Sequence, residues 1–219
     1  GDLVGSTAAP VLTDPGLMVE LPDGLEDVPY QVSAADLLSG YGDPEGTELT
    51  VSNLTASAGT VTGNGDGTYT IDPMSDYNGS VTLSYDVVDE DGGTVAATQT
   101  FNLIGVNDDP TGTASAAFVD GAEDTPYTVT EAELLQGFGD IDGDSLSISN
   151  LMSSSGTVTS NGGGNYTVDP ALNYSGTVTL SYDVIDGNGG TVAGTQTLIL
   201  NPVNDPPVSV DDGFTVLEE

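Results

Sequence analysis

The run GDIDGDSL, residues 139–146, sets Asp140, Asp142 and Asp144 at alternate positions around a glycine. A hard divalent cation such as calcium takes six to eight oxygens at about 2.3–2.6 Å. A D-x-D-G turn folds short carboxylates inward on such an ion, and the glycine permits the tight bend. Residues 42–49, GDPEGTEL, carry a reduced version with Asp43 and Glu45, where Thr47 replaces the third acid. Three further clusters recur in pairs. Asp89 and Asp91 in VVDEDGG are matched by Asp186 and Asn188 in VIDGNGG. Asn107, Asp108 and Asp109 before Pro110 are matched by Asn204 and Asp205 before Pro206, and Glu26-Asp27 by Glu123-Asp124. Taken singly, these read as a hairpin turn, a proline-stiffened spacer and a strand-entry turn. Taken together, they recur at matching phase.

The chain contains 35 Asp plus Glu and no Lys, Arg or His, a formal charge of −35 over 219 residues. Two carboxylates about 4 Å apart repel by roughly 4 kcal/mol at an effective dielectric near 20. No side chain of this protein can offset that, so solvent or metal cations must. Nine Tyr, 37% hydrophobic content and regular alternation argue against a disordered acidic tail. Nucleic acid and acidic membrane surfaces are polyanions and are excluded as partners. With no Cys, disulfides and thiolate metal sites are excluded too, which leaves oxygen ligation. No apolar run reaches membrane-spanning length, so no membrane insertion is expected. Glycoside hydrolysis by paired carboxylates is chemically open, but nearly every clustered acid sits in a repeated turn, and no enzyme is expected.

The repeat defines the organisation. EDVPYQVSAADLLSGYGDPEG from Glu26 aligns with EDTPYTVTEAELLQGFGDIDG from Glu123, and the register holds without a gap to VNDDP and VNDPP. About 50 of about 85 aligned positions are identical. Two domains are expected, 1–106 and 111–203, joined by a calcium-binding linker at 107–110. Residues 204–219 are expected to be a second linker and the start of a third copy. Gly1 in place of Met is consistent with a segment of a longer array.

Within each copy the dominant period is two. Val81, Leu83, Tyr85 and Val87 fall on one face, with Thr82, Ser84 and Asp86 on the other, as in a half-buried strand. Val178, Leu180, Tyr182 and Val184 repeat it. A following strand is joined through Gly92-Gly93 or Gly189-Gly190, and AGTVT with GTYTID, or SGTVT with GNYTVD, bracket a Gly-rich turn. The GNGDGT run, 63–68, is read as that hairpin turn. Ser33-x-x-Asp36 and Thr130-x-x-Glu133 predict one short helix per copy, with Leu37 and Leu134 on its buried side and Gly40 or Gly137 ending it. The expectation is all-β: tandem Greek-key β-sandwiches of about seven strands each, with one short helix per domain.

YDVIDGNGGTVAGTQTLILNPVNDPPV resembles the end of a cadherin repeat, where a strand-end Asp precedes a Gly turn and a last strand reaches an acidic linker. FGDIDGDSLSI, NYTVDPALNYSGTVTLSYDV and VNDPP are similar to the bacterial cadherin-like repeats arrayed in RTX-type adhesins and in biofilm and surface-layer proteins. The resemblance covers about 190 residues. It implies calcium at the junction, held by Asn107 and Asp108 with Asp140, Asp142 and Asp186, and by Glu26 and Asp89 of the first copy. Gly105 and Pro202 depart from the pattern where cadherins often place the first linker acid.

The resulting reading is a calcium-rigidified extracellular spacer at the bacterial cell surface, whose partners are neighbouring repeats of the same polypeptide. Calcium-dependent polysaccharide binding by a lectin-like doublet is the alternative, and lateral self-assembly stays open.

Overall fold

The computed structural model describes residues 8–207 and residue 213. The expected start of a third copy, after Pro207, lies outside the described residues apart from residue 213. The chain divides into two compact units, with the division between Val106 and Asn107.

In the first unit the strands are β1 (Val11–Leu12), β2 (Gly24–Leu25), β3 (Tyr30–Ser33), β4 (Tyr41–Gly42), β5 (Leu49–Ala56), β6 (Thr60–Gly63), β7 (Thr68–Asp72), β8 (Gly79–Asp89) and β9 (Thr94–Ile104). They form a four-stranded sheet ordered β2-β9-β8-β5, a three-stranded sheet ordered β3-β7-β6, and the small pair β1-β4. The two main sheets thus hold seven strands, as the turn spacing predicts. β2 runs parallel to the end of β9, while β8 and β9 form a long antiparallel hairpin. Tyr30, Val32, Leu37, Ile71, Val81, Leu83, Tyr85, Val87, Phe101 and Leu103 make the core between the sheets.

The second unit repeats this with β10 (Thr111–Gly112), β11 (Gly121–Ala122), β12 (Tyr127–Thr130), β13 (Phe138–Gly139), β14 (Ser147–Ser153), β15 (Thr157–Gly162), β16 (Asn165–Asp169), β17 (Gly176–Ile185) and β18 (Thr191–Asn201). Its sheets are ordered β11-β18-β17-β14, β12-β16-β15 and β10-β13. The GNGDGT run lies in the β6–β7 hairpin, where Asp66 Oδ1 accepts from the Thr68 backbone N–H and hydroxyl of its own turn.

The helices are single turns, α1 (Ala34–Leu37) and α2 (Glu131–Leu134). Thr130 and Glu133 form a full capping box, with Glu133 Oε2 accepting the Thr130 N–H at 2.8 Å. In α1 the Ser33 hydroxyl accepts the Asp36 N–H, but the shorter Asp36 carboxylate accepts from the Ser33 hydroxyl, at 2.6 Å. Each turn is fastened from the opposite sheet: the Tyr85 hydroxyl donates to the Leu37 carbonyl and the Tyr182 hydroxyl to the Leu134 carbonyl, both at 2.7 Å. Burial pushes the Tyr85 hydroxyl up to about 12.

Period two carries one step past the strand. Val81, Leu83, Tyr85 and Val87 are buried, and Asp89 continues the same row at 6% exposure. In β17 the row Val178, Leu180, Tyr182 and Val184 leads to Asp186 at 5%. A sheet with two-residue alternation therefore delivers a carboxylate inward at the end of its longest hairpin.

Candidate metal centre

The second unit gathers half of the expected ligands at one end. Asp140, Asp142 and Asp144 each offer a carboxylate oxygen within 4.8 Å of the others. The turn is set by Asp140, whose Oδ1 accepts the N–H groups of Asp142 at 2.9 Å and Asp144 at 3.2 Å. Its Oδ2 is buried and accepts no hydrogen bond. Asp186 Oδ1 accepts from the N–H groups of Asn188, Gly189 and Gly190 at 2.7–3.0 Å, and Asn188 Nδ2 donates to Asp144 Oδ2 at 2.6 Å.

The linker residues fold onto this unit. Asn107 Nδ2 donates to Asp186 Oδ2 at 2.8 Å, Asp108 N–H to Asp142 Oδ2 at 2.8 Å, and Thr191 N–H to Asp109 Oδ1 at 3.2 Å. The Asn107 amide, followed by the three backbone N–H groups, holds the Asp186 carboxyl below the usual carboxylate value.

The first unit has a sparser version at the corresponding end. Asp43 Oδ2 accepts the Thr47 N–H at 2.7 Å and its hydroxyl at 2.8 Å, while its Oδ1 is buried without a partner. Those Thr47 bonds, the backbone one foremost, hold Asp43 low. Asp89 Oδ1 accepts from Asp91 at 3.0 Å and Gly93 at 2.7 Å, and its Oδ2 is likewise buried and unpartnered. Glu45 accepts the Ala8 N–H at 3.1–3.2 Å. Asp91 is exposed.

Glu26 and Asp89, which the resemblance places together at the 107–110 junction, are separated. The β8–β9 hairpin puts Asp89 beside Thr94, at the start of β9, whereas Glu26 sits by Ile104, at its end. An 11-residue strand spans roughly 35 Å. Asp89 therefore belongs with Asp43 at the end remote from Val106, and Glu26 alone of the two stands by Val106. Glu26 is 1% exposed; its Oε1 accepts the Val106 N–H at 2.6 Å and its Oε2 is buried without a partner. Glu123 holds Val203 in the same way, at 2.6 Å. Asn204 Nδ2 donates to the Asp205 carbonyl at 3.2 Å.

Three participants escaped the sequence reading. Asp76 N–H donates to Asp27 Oδ1 at 3.0 Å, which places another carboxylate beside the Glu26-Asp27 turn. The signal was the repeated DP-x-x-[D/N]-Y run, since Asn173 N–H meets Asp124 Oδ1 likewise, at 2.7 Å. Gly93 and Gly190, which the sequence marks as hairpin formers, also sit where a Cβ would collide with Oδ2 of Asp89 or Asp186. They leave room for the carboxylate.

All donors in these clusters are oxygens, several are buried with no proton to accept, and no cationic side chain exists to neutralise them. That set suits a hard divalent ion and no other common biological metal class.

Tandem β-sandwiches with acidic turns gathered at their ends are typical of extracellular adhesion and spacer modules. The chain belongs to the Cadherin-like domain family, whose profile matches residues 6–104 and 106–201. Such domains are extracellular and typically bind calcium. No curated protein matches the chain. Among solved structures it is similar to human mucin-like protocadherin EC1-2, at 18% identity and a TM-score of 0.47, covering 84% of this chain and 97% of that one. Protocadherin GammaB4 extracellular domain is similar at 19% and 0.47, covering 88% of this chain and 35% of that one. Human CDH23 EC21-23 is similar at 14% and 0.46, covering 84% and 67%. Among the described residues no helix is long and apolar enough to cross a membrane.

Proposed function

We propose that this chain is a calcium-rigidified extracellular spacer segment of a large bacterial adhesin or cell-surface protein, with calcium held at the junctions between successive repeats. The observation that supports it is the set of buried, unpartnered carboxylate oxygens on Asp43, Asp89 and Asp140, in a chain with no basic side chain. An unpaired buried charge is strongly unfavourable, and a bound cation removes the cost. Asn107, Asp108, Asp140, Asp142, Asp144 and Asp186 would ligate from the second repeat, and Glu26 from the first. Asp43, Glu45, Asp89 and Asp91 would form the equivalent half-site for a preceding neighbour, and Glu123, Asn204 and Asp205 for a following one. Calcium affinities of extracellular modules, about 10⁻⁴–10⁻³ M, suit seawater or tissue fluid.

The lectin-like alternative is less well supported. Every aromatic side chain among the described residues is buried in, or packed partly buried against, one of the two cores, so none stands free as a stacking platform for a sugar ring. The spacer reading is tested by isothermal titration and thermal melts in calcium, magnesium and chelator. Calcium-specific binding with a raised melting temperature is expected, and equal melting in calcium and chelator would overturn it.

A further inference from the structure

We infer that the first repeat carries a strand-addition groove along β9 that takes an extended, basic peptide from another protein. Fifteen residues lie between Pro10 and Glu26, against twelve between Pro110 and Glu123. The register places the difference after β1, because Val11 pairs with Gly42 as Thr111 pairs with Gly139. The extra residues form a single 3-10 turn, Pro15–Leu17, and after it the Val19 carbonyl lies 3.5 Å from Gln99 Nε2 of β9, against 2.5 Å for the equivalent Ala116 carbonyl and Gln196. A groove of about 600 Å³ opens between Met18–Asp23 and Thr98–Asn102.

The floor and wall are suited to a strand. The carbonyl of Ile104 accepts the Glu26 N–H on the outer side of β9, which fixes the phase of that edge. Alternate residues of an antiparallel strand turn both backbone groups to the same side, so Thr98 and Thr100 present theirs outward. β2 covers only Leu103 and Ile104. Gln99, 7% exposed, lines the groove; its Oε1 is buried with no partner, and its Nε2 reaches the Val19 and Asp36 carbonyls only at 3.5 Å. In the second repeat the equivalent Gln196 Nε2 closes on the Ala116 carbonyl at 2.5 Å. β9 thus stays an edge strand beyond β2, as β18 does beyond β11, but only in the first repeat is the flanking segment held loosely, with the Val19 carbonyl at 3.5 Å from Gln99 where Ala116 lies at 2.5 Å from Gln196; an added strand there supplies N–H groups to the edge.

The occupant follows from charge. Glu20 and Asp23 stand on the rim, and this chain has no Lys or Arg with which its own segments, or a second copy, could answer them. An incoming strand that alternates apolar residues with Lys or Arg places its cations on the rim and its apolar side chains against Leu21 and the Phe101–Tyr30 stack.

The test is amide hydrogen exchange on the whole chain, in calcium and about 0.15 M salt to screen non-specific attraction to the polyanion. The probe is a blocked peptide of about eight residues alternating valine and lysine. Slowing of at least about tenfold is expected at the Thr98 and Thr100 amides and not at Thr195 and Thr197, with no effect from a valine–glutamate peptide. Equal slowing in both repeats, equal action of the glutamate peptide, or no slowing would each overturn the inference. Thr100→Pro removes an outward N–H and should abolish the protection. Should that variant not fold, Val19→Lys, at an exposed position, should weaken binding at least about tenfold by repelling the basic strand; unchanged binding would count against the groove.

Discussion

At the scale of single residues, the account rests on carboxylates held where they repel each other. Asp140, Asp142 and Asp144 lie close enough for roughly 3 kcal/mol of repulsion per pair at an effective dielectric of 20. Asp140→Asn should therefore act with opposite signs in two buffers. In chelator it should raise the melting temperature by relieving repulsion; in calcium it should lower it by removing a ligand, and scanning calorimetry in both buffers reads the difference. Asp186 supplies a pH signature. Its carboxyl is held low by Asn107 first and then by three backbone N–H groups, so in the folded state it stays ionised to lower pH than in the unfolded chain. The stability this contributes is present above the unfolded value, near 4, and is lost as pH falls through the folded value. Asn107→Ala removes the largest cause, so in calcium-free urea melts its deficit relative to wild type should be full at pH 7 and vanish in acid below the carboxylate range. Comparing variant with wild type cancels the general relief of repulsion that acid brings to a chain of charge −35.

At the scale of elements, the period-two rows and Gly-rich turns made the strands legible, because a half-buried sheet writes its inward face directly into the sequence. Val81 to Val87 and Val178 to Val184 are buried as the alternation predicts. The same row, carried one step further, also predicts the inward carboxylates Asp89 and Asp186. What local pattern could not convey was pairing direction. Only the antiparallel β8–β9 register reveals that Asp89 and Glu26 occupy opposite ends of one sandwich. Nor does a Gly-Gly turn announce that its second glycine makes space for a carboxylate. Gly190→Ala should accordingly weaken calcium binding measured by titration calorimetry, while Gly92→Ala acts only through backbone strain at φ +90°. The α-turns test the sheet-to-helix fastening. Tyr182→Phe leaves the Leu134 carbonyl without its donor and should cost about 1–3 kcal/mol in urea unfolding, as should Tyr85→Phe at Leu37.

At the scale of the whole molecule, a polyanion whose sandwiches carry their acids at the ends should depend on divalent ions for stability and for inter-repeat rigidity alike. With a dissociation constant of about 0.1 mM, calcium at about 10 mM should stabilise each site by roughly 2.7 kcal/mol, as any ligand selective for the folded state does. This expectation rests mostly on composition, since a chain with 35 acids and no base leaves only external cations to neutralise it. The groove along β9 was not legible in the sequence, because three extra residues in an irregular segment carry no periodic signal. The most direct measurement is small-angle X-ray scattering of the intact chain, titrated from chelator into calcium with magnesium as control. The account predicts that calcium narrows the distribution of maximum dimensions and that Asp140→Ala with Asp186→Ala abolishes the narrowing; superimposable profiles in calcium and chelator would contradict it.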